Sequence, residues 1–378
     1  MTPPSRPTHS ALTRSTDPRR QRLDRLATAS ITVGAFAVLA AILAIGIFLL
    51  WESFLLLSMA GTFTLDTLSP LAWGTLKAAL AAMLLALPIA LGAAIYTALY
   101  MPLRLRSRVK PALEMMEAIP GVVVGFIAGL VLAPWVERHL AITLVLLVWL
   151  PLSTLLAGVL WHRARQSLRK RLPFSWAGLW LIPWLIAMTF IALWATPGVE
   201  QALIGGDLRQ WLDQQLGINY ATRNAMIVGM AMGFAVIPSI YALAEDALAD
   251  VPPSLLEGAQ ALGATRWQAL WKVALPAAGP GIFSAVMIGA GRAVGETMIV
   301  LMASGNTALF SASPFEGMRS IAAAIAIELP EAAPGSSTYH VLIFAALVLF
   351  LFTFLVNTLA EVVRLRLRTR LSDMGGRG

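Results

Sequence analysis

Eight runs of apolar residues, near 31–50, 73–99, 118–135, 141–161, 176–195, 224–244, 279–303 and 340–361, constrain this chain more than anything else in it. About 20 such residues cross a hydrocarbon core of roughly 30 Å as a helix. With 58% hydrophobic and 13% charged residues, the chain has the balance of a polytopic membrane protein and not of a soluble domain with a large core. The expected fold is an all-α integral membrane bundle of about eight transmembrane helices.

The basic residues orient the bundle, because Lys and Arg are held on the cytoplasmic side of a membrane. With the N-terminus inside, the groups Arg6 to Arg25, Arg104 to Lys110, Arg163 to Arg171, Arg266 with Lys272, and Arg364 to Arg377 all fall in the cytosol. Only Arg138, Arg209, Arg223 and Arg319 fall outside, and Lys77 and Arg292 lie within spans. Both termini are therefore expected in the cytoplasm. The excess of +8 is topogenic and calls for no nucleic acid. Residues 1–28 form a basic tail, 29–51 an uncleaved first helix without a small-residue cleavage site, and 363–378 a second basic tail. After Pro18 the run RRQRLDRL is either a short amphipathic helix on the inner surface or a solvated tail.

Several chemistries drop out. No cysteine is present, and His9, His139, His162 and His340 form no ligand pair at helical spacing, so no metal site is expected. There is no G-x-x-x-x-G-K-[ST], and no lysine follows a glycine. This chain is not expected to be an enzyme or to bind nucleotide. Tryptophans 51, 73, 135, 161, 176 and 194 sit near span ends, as an interfacial aromatic belt would place them.

The polar segment at about 252–274 interrupts the apolar pattern. Ser254-Leu255-Leu256-Glu257 matches a capping box at a helix start, and Leu255, Ala259 and Leu262 form one narrow apolar face. Gly263 supplies the left-handed conformation that stops a helix. Thr265 to Gln268 repeats the box and opens a turn carrying Trp267, Leu270 and Trp271, before Pro276 leads into the next span. Helix, glycine corner and helix make a rigid cytosolic object suited to a groove on a partner.

The spacing of Glu257, Gly258, Ala259, Gly263 and Val273-Ala274-Leu275-Pro276 resembles the E-A-A-x3-G-x9-I-x-L-P signature of ABC importer permeases, with Gly258 and Val273 as small departures. The resemblance implies a type I importer core over 70–362. It makes the segment a coupling helix that docks on an ATP-hydrolysing subunit through Glu257, Ala259, Gly263, Arg266 and Trp267. Further on, Arg292-Ala293-Val294-Gly295-Glu296-Thr297 resembles the R-A-x-G-E-T element of phosphate-specific permeases of the Pst type. EMMEAIPGVVVGF (114–126), SPFEGMRSIAAAIAIELPEA (313–332) and FTFLVNTLAEVVRLRLR (352–368) are similar to the same family, closer to PstC than to PstA. The partners implied are a second homologous permease, two ATP-binding subunits that carry ATP and Mg, and an extracytoplasmic phosphate-binding protein at the bacterial inner membrane. This chain itself would hold no cofactor.

Elementary physics points to the same span. An ion at the bilayer centre costs about 2.5 to 3.5 kcal/mol on insertion scales, so an intramembrane ion is a functional suspect. Arg292 and Glu296 are four apart, which places them on one helical face, with Thr297 beside them. A guanidinium fork matches phosphate oxygens, and the glutamate would hold that fork. Gly291 with Gly295, and Ala285 with Gly289, form small-residue seams that admit a neighbouring helix. The competing reading is a structural ion pair without substrate contact. At the level of function the alternatives are a sulfate or molybdate permease, a proton-coupled carrier using Glu296 as relay, and a sensing scaffold that carries no flux.

Four lesser expectations complete the reading. Pro88, with Gly92 a turn later, could kink the second span, although packing would also explain them. Lys77 is expected to snorkel to the headgroups. The loop 304–338 either plugs a pore or receives a binding protein. The spans at about 141–161 and 176–195 have no counterpart in a six-span permease and read as an inserted hairpin.

Overall fold

The structure, a computed structural model, describes residues 18–58, 65–164 and 171–375. The first 17 residues, with Arg6 and Arg14, and the loop residues Arg165, Arg169 and Lys170 lie outside the described residues, as does Arg377. The helices in chain order are α1 (Pro18–Ser58), α2 (Leu65–Leu99), α3 (Leu103–Met115), α4 (Gly121–Ile127), α5 (Ala133–Arg138), α6 (Leu140–Arg163), α7 (Ala177–Ile204) and α8 (Leu208–Leu216). They continue with α9 (Ala225–Ala249), α10 (Pro253–Ala261), α11 (Arg266–Ala269), α12 (Leu275–Gly295), α13 (Met298–Ala303), α14 (Ile321–Glu328) and α15 (Ser337–Gly375). No strand occurs among the described residues. Eight helical stretches are long and apolar enough to cross a membrane, matching the eight expected. Helices are the natural outcome, since a spanning segment must satisfy its own backbone N–H and C=O groups.

The core is built around α9, whose Ile227, Met232, Ile240, Tyr241 and Leu248 are fully buried. It lies against α2, where Ala78, Ala82, Ala86, Ala90 and Ala94, spaced every four residues, are all buried. Beside that stripe, Gly229 and Gly233 let α9 approach α2 closely. A Cβ on Gly229 would stand 2.7 Å from the Ala81 Cβ, and one on Gly233 would stand 2.8 Å from Leu85. In lipid no hydrophobic force drives helices together, so close backbone approach and dispersion do the work. On its other side α9 receives α12: Ala285 is buried, and a Cβ on Gly289 would collide with Ile240. Gly295 differs from its expected seam role, because nothing lies within 4 Å of where its Cβ would be.

Outside this core sit two looser layers. The helix α1 runs unbroken from Pro18, so the basic run after Pro18 continues into the first span and forms no separate surface helix. It packs on α15 through Leu49, Ile343 and Leu347. Helices α6 and α7 hold each other through the Trp149 indole on the Met188 carbonyl (3.2 Å) and the Trp184 indole on the Ser153 carbonyl (3.0 Å). This hairpin joins the body at its ends. At one end Phe174 is ringed by Tyr96, Tyr100 and Trp161. There the Tyr96 hydroxyl donates to the Ser175 carbonyl and accepts from the Gly178 N–H, both at 2.9 Å. At the other end Arg209, next to the helix cap Asp207, reaches Glu137 at 3.3 Å.

Two expectations about the surface are corrected. Lys77 does not snorkel: its Nζ donates to the Ser313 carbonyl at 2.5 Å. Trp73 and Trp161 are more than belt residues, since their indoles donate to the Ser311 and Leu172 carbonyls at 2.7 Å. Trp161 is held by the segment before α7, whereas Lys77 and Trp73 share one cause, namely that the loop after α13 folds back over α2. Its Pro314, Phe315 and Glu316 carbonyls accept from the backbone at Met226, Ala221 and Ala225. The Ile321 N–H donates to Thr75 Oγ1, and Arg319 pairs with Glu328 at 2.6 Å. The loop is thus built into the bundle.

Candidate functional site

The span expected over 279–303 is broken in the middle. Helix α12 ends at Gly295, Glu296 is extended (φ −69°, ψ 121°), and α13 starts at Met298. Glu296 is therefore not on a helical face shared with Arg292. Its Oε1 accepts from the free N–H groups of Met298 and Ile299 at 3.2 and 3.3 Å, capping the new helix. The same oxygen would lie 3.0 Å from a Cβ on Gly121, so the start of α4 needs glycine to pass Glu296. Thr297 turns its hydroxyl back to the Gly295 carbonyl at 3.3 Å. The expected Arg292–Glu296 pair is overturned, because the carboxylate satisfies backbone donors that the break exposes.

Arg292 finds another partner. Its Nη1 donates to Glu117 Oε1 at 2.7 Å and to Ser239 Oγ at 2.5 Å. Ser239 donates to the same Glu117 oxygen at 2.7 Å, closing a triangle between three elements. Glu117 stands on the single turn Met116–Ala118, held between α3 and the Pro120 that starts α4. Ser239 lies ten residues before the end of α9, about 15 Å along the helix or near mid-membrane. The side chains of Arg292 and Glu117 are 33% and 45% exposed. Among the described residues Arg292 Nε and Nη2 and Glu117 Oε2 have no hydrogen-bond partner. Charged groups open on one side at this depth must face water or a second protein, not acyl chains.

A second charged cluster lies at the end of α9. Glu245 is fully buried and pairs with Arg106, and with Lys110 at 2.7 Å. Lys110 also contacts Asp246, and Glu114 lies 3.8 Å from it. Partial burial works against the Lys110 charge, but the flanking Asp246 and Glu245 carboxylates outweigh it and hold the ammonium above the ordinary lysine range. This cluster clamps α3 to α9.

The polar segment after α9 has the expected corner and one corrected start. Gly263 is left-handed (φ 92°), the Ala264 N–H reaches the Ala259 carbonyl, and the Gly263 N–H reaches the Gln260 carbonyl, as in a Schellman stop. The Thr265 and Gln268 capping box forms in both directions. The box at Ser254 does not. Helix α10 starts two residues early at Pro253, with Pro252 as its cap and no side-chain hydrogen bond there. Proline is favoured at that first position because it lacks the N–H that a cap would serve. No residue of α10 is buried, Leu262 is 92% exposed, and Trp267 packs edge-on against an equally exposed Trp271. Ala269 and Leu270 anchor the following turn. Glu257, Gly263 and Arg266 are exposed on this face and Ala259 is half-buried.

Broken spans meeting around a half-open arginine, beside a proud capped segment, are features of a transport protein. Residues 86–369 match the family of binding-protein-dependent transport system inner membrane components. The chain belongs to this family. The match runs through the α6–α7 hairpin to the last helix. Among curated relatives, a probable ABC transporter permease protein of Bacillus subtilis, YqgH, is 37% identical over 135 residues, 35% of this chain and 44% of that protein. The phosphate transport system permease protein PstC of Pasteurella multocida is 37% identical over 142 residues, covering 38% and 44% of the two chains. PstC 1 of Mycobacterium tuberculosis is 38% identical over 152 residues, covering 39% and 44%. The chain thus spans less than half the length of these relatives.

Glu117, Ser239 and Glu245 were not singled out in the sequence. Glu117 carried a weak signal, an acid two residues before Ile119-Pro120 at the edge of a span. Glu245 carried one too, as a carboxylate at the margin of an apolar run. Ser239 carried none, since a serine in a span bonds its own helix as a rule.

Proposed function

We propose that this chain is the transmembrane permease subunit of a bacterial ABC importer that moves inorganic phosphate across the inner membrane, with both termini in the cytoplasm. The observation that carries this reading is Arg292. It is a guanidinium near mid-membrane, fixed through Nη1 alone, with Nε and Nη2 left to an anion. The names of the similar permeases support phosphate as the anion. Glu117 and Ser239 hold the arginine, while Glu296 keeps the broken spans in place.

The partners are a second homologous permease over the open side of Arg292, two ATP-binding subunits carrying ATP and Mg, and an extracytoplasmic phosphate-binding protein. The exposed surface of Leu262, Trp267 and Trp271, with Glu257 and Arg266 beside it, docks an ATPase. Closure of the ATPases moves 252–274, and the motion passes through Leu270 into α12, which carries Arg292. A proton relay through a Glu296–Arg292 pair loses its basis, because the two side chains do not meet.

The test is purification of the complex from its native membrane, with ATP hydrolysis assayed with and without Glu257→Lys. Recovery of an ATPase, a second permease and a phosphate-binding protein, with hydrolysis uncoupled by the substitution, is the expected result. A chain that purifies alone and transports on a proton gradient overturns the reading.

A further inference from the structure

The triangle of Glu117, Ser239 and Arg292 is asymmetric in a way that bears on which anion fits. Both donors, Ser239 Oγ and Arg292 Nη1, converge on one carboxylate oxygen, Oε1. Oε2 is left unbonded on a side chain 45% exposed, next to a guanidinium 33% exposed with Nε and Nη2 unbonded. The open side of the cluster therefore offers donors and one anionic acceptor side by side. A fully ionised oxyanion such as sulfate has only acceptor oxygens. It can take the guanidinium donors, but its remaining oxygens then meet a carboxylate oxygen, which is like-charge repulsion with no proton between. An oxyanion that keeps a proton, as phosphate and arsenate both do at neutral pH, can turn its O–H to Oε2 and its bare oxygens to Arg292. That turns the repulsion into a charge-assisted hydrogen bond.

We propose that Glu117 is a specificity-determining residue that admits protonated tetrahedral oxyanions, phosphate and arsenate, and rejects sulfate by the acceptor Oε2. The proposal rests on the reading of Arg292 as an anion site. Neither α4 nor α13 is needed as a binding helix end, since Glu296 already occupies the start of α13. Discrimination by an unmatched buried polar group exceeds that of an apolar pocket by orders of magnitude. A partly exposed acceptor gives a fraction of this.

The experiment is titration of the purified membrane complex, without its binding protein, with phosphate, arsenate and sulfate at pH 7. It is run for the wild type and for Glu117→Gln, Ser239→Ala and Arg292→Ala, alongside phosphate uptake by the reconstituted transporter. The wild type is expected to bind phosphate and arsenate at least about tenfold more tightly than sulfate. Glu117→Gln, which turns a donor toward the anion, should bring that ratio close to one, mainly by gaining sulfate. Ser239→Ala should keep the preference. Equal affinity of the wild type for phosphate and sulfate, or no anion binding at all, overturns the proposal without any variant. So does an unchanged ratio in Glu117→Gln. Should Arg292→Ala bind and transport phosphate like the wild type, the anion-site reading itself fails; an unchanged ratio in Glu117→Gln with Arg292 still essential fails Glu117 alone.

Discussion

Two ion clusters in this chain use the same side-chain chemistry to opposite ends. Around Glu245 one carboxylate has no exposure and faces Arg106 and Lys110, with Asp246 behind, so every charge is neutralised within the protein. Around Arg292 one nitrogen is held by Glu117 and Ser239, and the rest of the guanidinium is open. The first cluster lies near the end of α9, where it ties α3 to the bundle; the second, at Ser239, lies six residues further into the membrane. A closed cluster rigidifies, while an open one keeps binding capacity in reserve. Burial of a charged group alone therefore does not mark a transport site. The proposed anion site at Arg292 differs in its incomplete partner set.

The comparison breaks first at Glu245. Glu245→Ala leaves two cations against an apolar core and should cost about 3 to 5 kcal/mol, read by thermal unfolding of the complex in detergent. Lys110 sharpens the point through pH. Its folded-state affinity for the proton is raised, so its contribution is complete below the unfolded value near 10.4 and is lost only as pH climbs through the higher folded value. Unfolding temperatures should show no loss from this pair between about pH 6 and 9 and a fall only in strong alkali. Loss of stability near neutrality that Lys110→Met removes would contradict it.

Next comes Arg292→Ala, expected to cut phosphate uptake at least about 100-fold while leaving the unfolding temperature nearly unchanged, because an open cluster contributes little to the fold. Arg292→Lys, a point charge without the fork, should rescue only a minor part. A large stability loss with modest transport loss would instead class the cluster with Glu245.

Smaller effects follow at the edges. Glu296→Ala removes the cap on α13 and should cost about 1 kcal/mol, with hydrogen exchange rising first at Met298 and Ile299. Tyr96→Phe deletes two hydrogen bonds at the foot of the α6–α7 hairpin and should cost about 1 kcal/mol. Its effect should appear as faster proteolysis near residues 172–178 and not as lost uptake.

Much of the architecture was legible because periodicity and span length are local properties. The number of spans, the corner at Gly263 and the capping box at Thr265 each depend on residues close in sequence and come out as expected, while the span over 279–303 is present but broken at Glu296. The cap at Ser254 failed for a local reason as well, since Pro253 at the first helical position starts the helix two residues earlier. Lys77 and Trp73 were misjudged because their partners, Ser313 and Ser311, lie more than 200 residues away.

The sequence by itself determined the solvent, the helical class and the choice of Arg292 as the residue to watch, for the cost of an ion in hydrocarbon does not depend on its neighbours' identity. Only the tertiary structure decided what Arg292 touches. Glu117 is 175 positions away, and Glu296, four positions away, was drawn off by the backbone N–H groups of a broken helix. A side chain four residues along is a neighbour only while the helix between them is intact, and here Gly295 and Glu296 end it.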